Sequence, residues 1–509
     1  MRLLKVLCVI ALVFVVATVA YAETQSVKVS GDIALRTFAR NNYDLDNDDV
    51  GLALTAAGAI VSQDDATAAA GTDFGGQSTD WATYLLSTIE VQVDADLTDN
   101  VSAVIRLVNQ RVWGNGVYTS SGDETGLLNI PFRDQVASNI VGPAVQQDAF
   151  GVGVDLAYIE LKEFLYSPLT LKIGRQDIWF GRGFIIGANQ LETQDSIFCP
   201  EYTAINSFDA IRGTLDYAPW TIDMVFAKIG ENWRRADDDV NLWGVNVGYV
   251  FDNYNAEAEA YWFMRQSRYT GSNAAGVATL TDVTSGNNSN DIHTVGGRGS
   301  FDPIEDWTVA LEGAYQFGQY IGIADQVNDR DRSAWACDIM LECRYFQDNF
   351  AWRPVLQGEY IYYSGEENQA NTAVGDSDTY TGWDFMFRGK YDTAIREFQN
   401  VYYRTNSTST PSTTNQHQFL LSLEVEPTDS LTVGVRGAYF LLDEDYSTTG
   451  ANPNTENSIG GELDVQVTWD YTEDVTFGLL TGFFFPGDHF INGQDDVATD
   501  IVGSVKLSF

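Results

Sequence analysis

The residues that usually carry covalent or metal chemistry are scarce in this chain of 509 residues, which has three histidines and four cysteines. His293, His417 and His489 stand in no catalytic or metal-binding motif, and the sequence contains no G-x-S-x-G nucleophile motif. A hydrolase would need a serine–histidine pair that the sequence does not show. We therefore predict that the protein is not an enzyme and holds no metal and no cofactor; a hydrolase is the least favoured alternative.

Charged side chains are the other groups that could act on a solute. The chain carries 29 Lys+Arg against 71 Asp+Glu, a formal net charge of -42. This excess of acids disfavours nucleic acid as a partner, because phosphate binding requires clustered Lys and Arg. Aromatic residues make up 13% of the chain, which distinguishes it from a disordered acidic tail.

Many of these charges occupy every second position of long segments. Residues 333–347 place Trp335 and Ile339 on one face and Asp338 and Glu342 on the other. A period of two is typical of a β-strand with one apolar and one polar face. Such segments run for ten to fourteen residues. That length suits a tilted strand crossing roughly 25–30 Å of hydrocarbon better than a soluble strand of about 5–6 residues. The same pattern returns at 305–318 and 459–470.

Short turns alternate with long connections along the chain. Eight short turns are predicted at 98–100, 166–168, 218–219, 252–253, 302–303, 348–349, 427–429 and 471–473. Nine long loops are predicted near 40–81, 114–151, 179–206, 230–239, 267–290, 319–332, 365–416, 443–456 and 486–498. Seventeen connections require eighteen strands, although a hairpin hidden in 382–404 would give twenty. The predicted fold is therefore all-β: a transmembrane antiparallel up-and-down barrel with short periplasmic turns and long extracellular loops.

The N-terminus predicts export from the cytoplasm. Arg2 and Lys5 precede an apolar run over 6–20, and small residues follow at Ala20 and Ala22. This arrangement is typical of a signal peptide cleaved after residue 22; a retained membrane anchor is the alternative. Residues 23–509 would then form one barrel in the cell outer membrane, with 27 basic and 71 acidic residues and a net charge of -44. A soluble β-sandwich is the competing fold, but it would require several domains and no linker is visible.

In such a barrel the polar faces of the strands line a water-filled interior. The fixed charges there could orient polar and ionic solutes, or could pair with one another and stiffen the wall. The predicted inward arginines are Arg36, Arg106, Arg212, Arg265, Arg298, Arg344, Arg353 and Arg436. The predicted inward acids are Glu90, Glu160, Asp223, Glu257, Glu259, Glu312, Asp338, Glu342, Glu359, Glu424, Glu462 and Asp464.

Several motifs resemble those of alginate export outer-membrane porins. They are L-K-I-G-R-Q at 171–176 with F-G-R-G at 180–183, F-D-A-I-R at 208–212, G-G-E-L-D at 460–464 and F-F-P-G at 484–487. The resemblance spans about residues 150–509, whereas 23–150 match only in strand pattern. It implies an eighteen-stranded monomeric barrel that passes a polyuronate outward by passive diffusion through an arginine-rich pore. By this resemblance Arg175 and Arg212 are candidate pore residues.

The final strand of the chain ends in Phe509 and is similar to the signal read by the barrel-assembly machinery. The expected partners are therefore this machinery, outer-membrane lipid and lipopolysaccharide, and the transported solute.

The charge balance bears on the solute. Acids that outnumber arginines in the lumen repel a long polyanion, so we expect a neutral or mixed oligosaccharide or a small ionic solute, above all a cation. The leading hypothesis is a porin-like channel. The alternative is a non-conducting surface barrel, plugged by the loops at 365–416 and 40–81, with a structural or adhesive role.

Overall fold

The computed structural model describes residues 26–42, 45, 52–54, 60–62, 81–113, 152–188, 207–231, 239–268, 289–320, 330–347, 349–366, 379–397, 414–444, 456–490 and 495–509. The predicted signal peptide lies outside these residues. The described strands are β1 (Ser26–Asn41), β2 (Leu52–Leu54), β3 (Ile60–Ser62), β4 (Trp81–Thr98), β5 (Val101–Val112), β6 (Gly153–Leu161), β7 (Leu169–Gln176), β8 (Phe208–Tyr217), β9 (Trp220–Glu231), β10 (Asp239–Val250), β11 (Glu257–Arg268), β12 (Ser289–Ile304), β13 (Trp307–Tyr320), β14 (Arg330–Cys343), β15 (Val355–Tyr363), β16 (Thr379–Tyr380), β17 (Gln416–Thr428), β18 (Leu431–Leu442), β19 (Ser458–Asp470), β20 (Val475–Pro486) and β21 (Ala498–Ser508).

Eighteen of these strands close into one antiparallel barrel, as the sequence predicts. The ring consists of β1, β4 to β15 and β17 to β21, and it closes where β1 pairs with both β21 and β4. β15 pairs directly with β17, so the loop between them contributes no strand pair to the ring and the twenty-strand alternative is wrong. Closure leaves no open sheet edge facing lipid, which is the condition for a sheet to span a membrane.

The two faces of the wall differ as the alternating sequence requires. On the outer face of β14, Trp335 is 57% and Ile339 43% exposed. Asp338 lies on the inner face of the same strand and is fully buried. Leu311 of β13 lies beside Ile339 in the register and is also exposed. Exposed apolar side chains on the outside are stable because lipid, not water, surrounds them.

The connections follow the predicted alternation of short turns and long loops, with one shift. Asp302 and Pro303 lie within β12, at an irregularity in its pairing with β13, and the turn itself falls at 305–306. Proline cannot donate a ladder hydrogen bond, which explains the irregular pairing there. Ser26 and Phe509 both lie at the short-turn end of the barrel.

Two loop segments fold into the barrel interior. The first inward segment is residues 177–188, after β7, and the second is residues 379–397, between β15 and β17. Both are rich in buried apolar side chains that pack against the inner wall. No helix in the described part of the chain is long and apolar enough to cross a membrane.

Candidate functional site

The two inward segments are joined through their backbones. Ile186 and Phe387 form a parallel bridge, in which Phe387 N–H donates to Ile185 O at 3.0 Å and Gly187 N–H donates to Phe387 O at 2.7 Å. Farther along, Gly389 N–H donates to the carbonyl of Gly183 at 2.9 Å. These bonds satisfy backbone groups that would otherwise be buried without partners. The segments therefore form one unit across the interior.

Aromatic side chains seat this unit against the wall. Phe180 packs 5.3 Å from Phe263 of β11, and Phe387 packs edge-on 5.7 Å from Phe208 of β8 (ring centroids). Burial of each aromatic ring away from water stabilises the folded arrangement by roughly 1.5–3 kcal/mol. An interior that the alternation predicts to be polar thus contains an apolar core where the loops cover it.

A cluster of opposite charges fixes both segments to β14 and β15. Arg182 of the first segment donates to both oxygens of Asp338 at 3.0 Å and also to Glu359. Lys390 of the second segment contacts the same two carboxylates, with Nζ 3.3 Å from Asp338 and 2.6 Å from Glu359. We call these four residues the charge hub. Because Asp338 and Glu359 are buried, each depends on the two cations to offset its loss of hydration.

The second segment has two further attachments. The backbone N–H groups of Ile395 and Arg396 donate to the carboxylate of Glu462 at 2.6 and 2.9 Å, and Ala394 N–H donates to Asp464 at 3.2 Å. The carboxylates of β19 are therefore acceptors for loop backbone, so their positions fix how the segment lies across the interior.

At the other attachment, Arg265 of β11 holds Asp384 through two hydrogen bonds of 2.9 and 2.6 Å. Burial by itself raises the pKa of Asp384, but the guanidiniums of Arg265 and Arg332 outweigh it, so the pKa lies below the usual value for an aspartate. Asp384 stays charged when bound in this position.

Other inward arginines also contact carboxylates. Arg212 Nε donates to Asp223 at 2.8 Å, and Arg106 contacts the buried Asp155 as well as the exposed Asp177. Arg298 contacts Glu257 and Glu259, and Lys172 lies 3.4 Å from Glu160. The lumen therefore presents compensated pairs rather than a continuous row of free guanidiniums.

Most of the predicted inward residues lie on the inner face, and several meet through the loops. Those with contacts named above are Arg106, Arg212, Arg265, Arg298, Glu160, Asp223, Glu257, Glu259, Asp338, Glu359, Glu462 and Asp464. Glu312 accepts a hydrogen bond from Tyr261 at 2.9 Å, and Arg436 donates to Ser422 at 2.8 Å. Arg36 shares its strand face with the buried Phe38, and Glu90 lines a small polar pocket with Arg106.

Three predicted pore arginines lie elsewhere. Arg344 and Arg353 belong to the short connection between β14 and β15, where Arg344 pairs with Glu342 and Arg353 with Glu426. Arg175 shares the outward face of β7 with the exposed Ile173, and its partner Asp209 is 63% exposed. A motif comparison carries no information on pleat parity, which decides the face on which an arginine lies.

Sequence reasoning missed Arg182, Asp384 and Lys390, because loops have no periodicity from which to infer direction. The only available signal was the F-G-R-G motif, in which Gly183 has a φ of +77°, a conformation that favours glycine. In the described ranges, no group of three or more His, Cys, Asp and Glu residues is arranged to hold a metal ion.

Comparison with known proteins agrees with this architecture. The model of a protein family described as “Alginate export” matches residues 66–504. The chain belongs to the alginate export family. No curated protein matches it.

Three solved porins are similar to this alginate export family member in fold. They are a BenF-like porin from Pseudomonas fluorescens Pf-5 (10% identity, TM-score 0.50, 96% of this chain and 100% of that chain), OccK2 (OpdF) of Pseudomonas aeruginosa in complex with glucuronate (9%, 0.50, 96% and 99%) and OccAB4 of Acinetobacter baumannii (9%, 0.50, 96% and 99%). At these identities the likeness shows the fold alone.

Family and fold together identify an outer-membrane porin-like channel. Both are non-enzymatic in kind.

Proposed function

We propose that this member of the alginate export family is a constricted passive channel for small hydrophilic solutes, with neutral sugars and cations favoured over a long polyuronate. The observation that carries this proposal is the pairing of the lumen arginines with carboxylates around two inward segments. A polyanion gains affinity from arginines whose charge is uncompensated, and here each named pair already neutralises its arginine.

The narrowing supports a restricted solute size. An eighteen-stranded barrel without internal elements leaves a wide aqueous channel. The first inward segment contacts the walls of β8, β11, β14 and β15. The second contacts β11, β13, β14, β15 and β19. Solutes must pass beside this unit, where charged side chains set the local potential.

Selectivity in planar bilayers tests the proposal. We expect stepwise conductance, a reversal potential in a KCl gradient that indicates cation preference, and stronger competition from neutral oligosaccharides than from oligouronates of equal length. Anion preference together with tight block by oligouronates would instead support a polyuronate exporter.

The non-conducting barrel is the second candidate, because loop residues do fill part of the interior. From the loop after β1, Leu45 is fully buried in a cluster with Ile395 and Phe440. Deletion of residues 381–396 distinguishes the two functions. A barrel that conducts only after the deletion is a plugged barrel, whereas a channel that already conducts and then widens is the constricted porin.

The ends of the chain give two smaller proposals. Cleavage after Ala22 would leave Glu23 as the first residue of the mature protein, which N-terminal sequencing of the membrane form can check.

The backbone of Phe509 exchanges two 3.0 Å hydrogen bonds with Gly31 and closes the barrel. We propose that the barrel-assembly machinery reads this terminal strand, so deletion of Phe509 should reduce the folded protein in the outer membrane.

A further inference from the structure

Trp179 differs from its neighbours in the first inward segment. Ile178 and Phe180 on either side of it are buried, whereas Trp179 is 50% exposed. Its indole N–H donates to the carbonyl of Gly181 at 2.9 Å, which holds the ring in one orientation. A large aromatic side chain of an inward segment is thus left half exposed, although burying it would gain free energy.

Three glycines of both inward segments support this ring. A Cβ added to Gly187 would lie 2.9 Å from Cε3 of Trp179, and one added to Gly389 would lie 2.5 Å from its Cζ3. Gly183, with its positive φ, would also clash with the ring if it carried a side chain. The indole therefore lies directly against glycine backbone. Gly183, the last residue of the F-G-R-G motif, thus has a physical role here, since any side chain would lift the ring.

Polar groups lie close to the ring along the chain. Asp177, two residues earlier, has a side chain that is 56% exposed, and Arg106 Nη2 lies 3.3 Å from its carboxylate. Arg106 also contacts the buried Asp155, so Asp155 still holds this guanidinium in place when the carboxylate of Asp177 bonds to a solute. An aromatic surface beside a few fixed polar groups is the usual composition of a small-molecule binding site.

We propose that Trp179 is a stacking platform for a sugar ring, and that it gives the constriction a preference for carbohydrate over other solutes of the same size. This inference rests on the proposed channel function and names the substrate class. A pyranose has an apolar C–H face that fits the negative face of an indole ring, and its equatorial hydroxyls can bond to Asp177 and Arg106. The stacking requires no net charge on the sugar.

The test uses the full-length folded protein in planar bilayers, with maltohexaose as a neutral sugar probe and polyethylene glycol of equal mass as the size control. We expect saturable block by maltohexaose and none by the polymer. Trp179→Ala should weaken the block about tenfold, equivalent to ~1.4 kcal/mol. Trp179→Phe, which keeps a ring, should retain most of it. Trp335→Ala is the matched control, because it removes a similarly exposed tryptophan from the lipid-facing wall.

Equal block of the wild type and Trp179→Ala, or no block in wild-type channels that open, would overturn the platform while leaving the channel function intact. Calorimetric titration of the detergent-solubilised protein with maltohexaose measures binding without conduction. This measurement therefore tests the stacking platform even if the protein does not conduct in bilayers. A lack of conductance is a separate outcome, and it would refute the proposed channel function. Absence of binding heat in the wild type overturns the platform. Binding that Trp179→Ala reduces about tenfold supports it.

Discussion

Arg182 and Asp338 connect the loop interior to the barrel wall: Nη1 of Arg182 lies 3.0 Å from both carboxylate oxygens of Asp338. The two residues are separated by 156 positions in the chain. The carboxylate is fully buried and also receives Lys390 from the other inward segment. One wall residue thereby positions both inward segments, and contacts of this kind hold the constriction in place.

Removing one negative charge from the charge hub should loosen the constriction. Asp338→Asn leaves Arg182 and Lys390 with Glu359 as their remaining wall carboxylate, at a cost of about 1–3 kcal/mol for incompletely satisfied buried groups. We expect larger and noisier single-channel currents and a lower thermal unfolding temperature. Arg344→Gln is the control, since Arg344 is exposed and water screens its ion pair with Glu342, which contributes about 0–1 kcal/mol. Identical currents in wild type and Asp338→Asn would show that the hub does not hold the loops.

The Arg265–Asp384 contact predicts how the channel responds to acid. The pKa of Asp384 is lowered in the folded protein, so its contribution to loop docking is fully present above the unfolded pKa of an aspartate. It is lost as the pH falls through the lower, folded pKa. The Arg265–Asp384 contact should therefore hold the second inward segment from neutral to mildly acidic pH and release it only in stronger acid, where its loss adds a rise in conductance. Arg265→Gln removes one stabilising cation and should move this rise to higher pH; an unchanged pH profile would contradict the assignment.

The packing between the segments predicts a steric effect. A Cβ at Gly389 would lie 2.5 Å from the Trp179 ring and 2.7 Å from the Gly187 backbone, so Gly389→Ala forces the segments apart. Overpacking of this kind costs about 1–3 kcal/mol. Gly437→Ala is the matched control, because a Cβ there meets nothing within 4 Å. Differential scanning calorimetry should show a lower unfolding temperature for Gly389→Ala only; equal temperatures for the two variants would exclude the predicted clash.

The direction of the wall residues predicts opposite outcomes at adjacent positions. Ile339 faces outward, so Ile339→Arg places a cation in lipid at a cost of about 2–4 kcal/mol near the membrane centre and less toward its surfaces. Met340→Arg, one residue later, points into the lumen and should cost much less. Urea titration of folding into lipid vesicles measures both. Equal losses at the two positions would contradict the assigned faces of β14.

The sequence by itself determined the two faces of the wall and the alternation of turns and loops, and it favoured eighteen strands; the pairing of β15 with β17 then excluded twenty. Each of these follows from a local rule: side chains alternate across a strand, so the register of Trp335, Asp338 and Ile339 is readable from their spacing. Pleat parity also placed Arg106 and Arg212 inward without any knowledge of their partners.

Only the tertiary structure decided what the interior contains. Arg182 and Asp384 act where a loop meets wall residues 156 and 119 positions away in the chain, and Trp179 lies where the two inward segments meet. No periodicity in the sequence predicts such contacts, because a loop has no repeating backbone geometry that fixes the direction of its side chains. Arg175 is a different case, because it lies on strand β7: the pleat of that strand places it on the outer face beside Ile173, and the motif resemblance carries no such directional information.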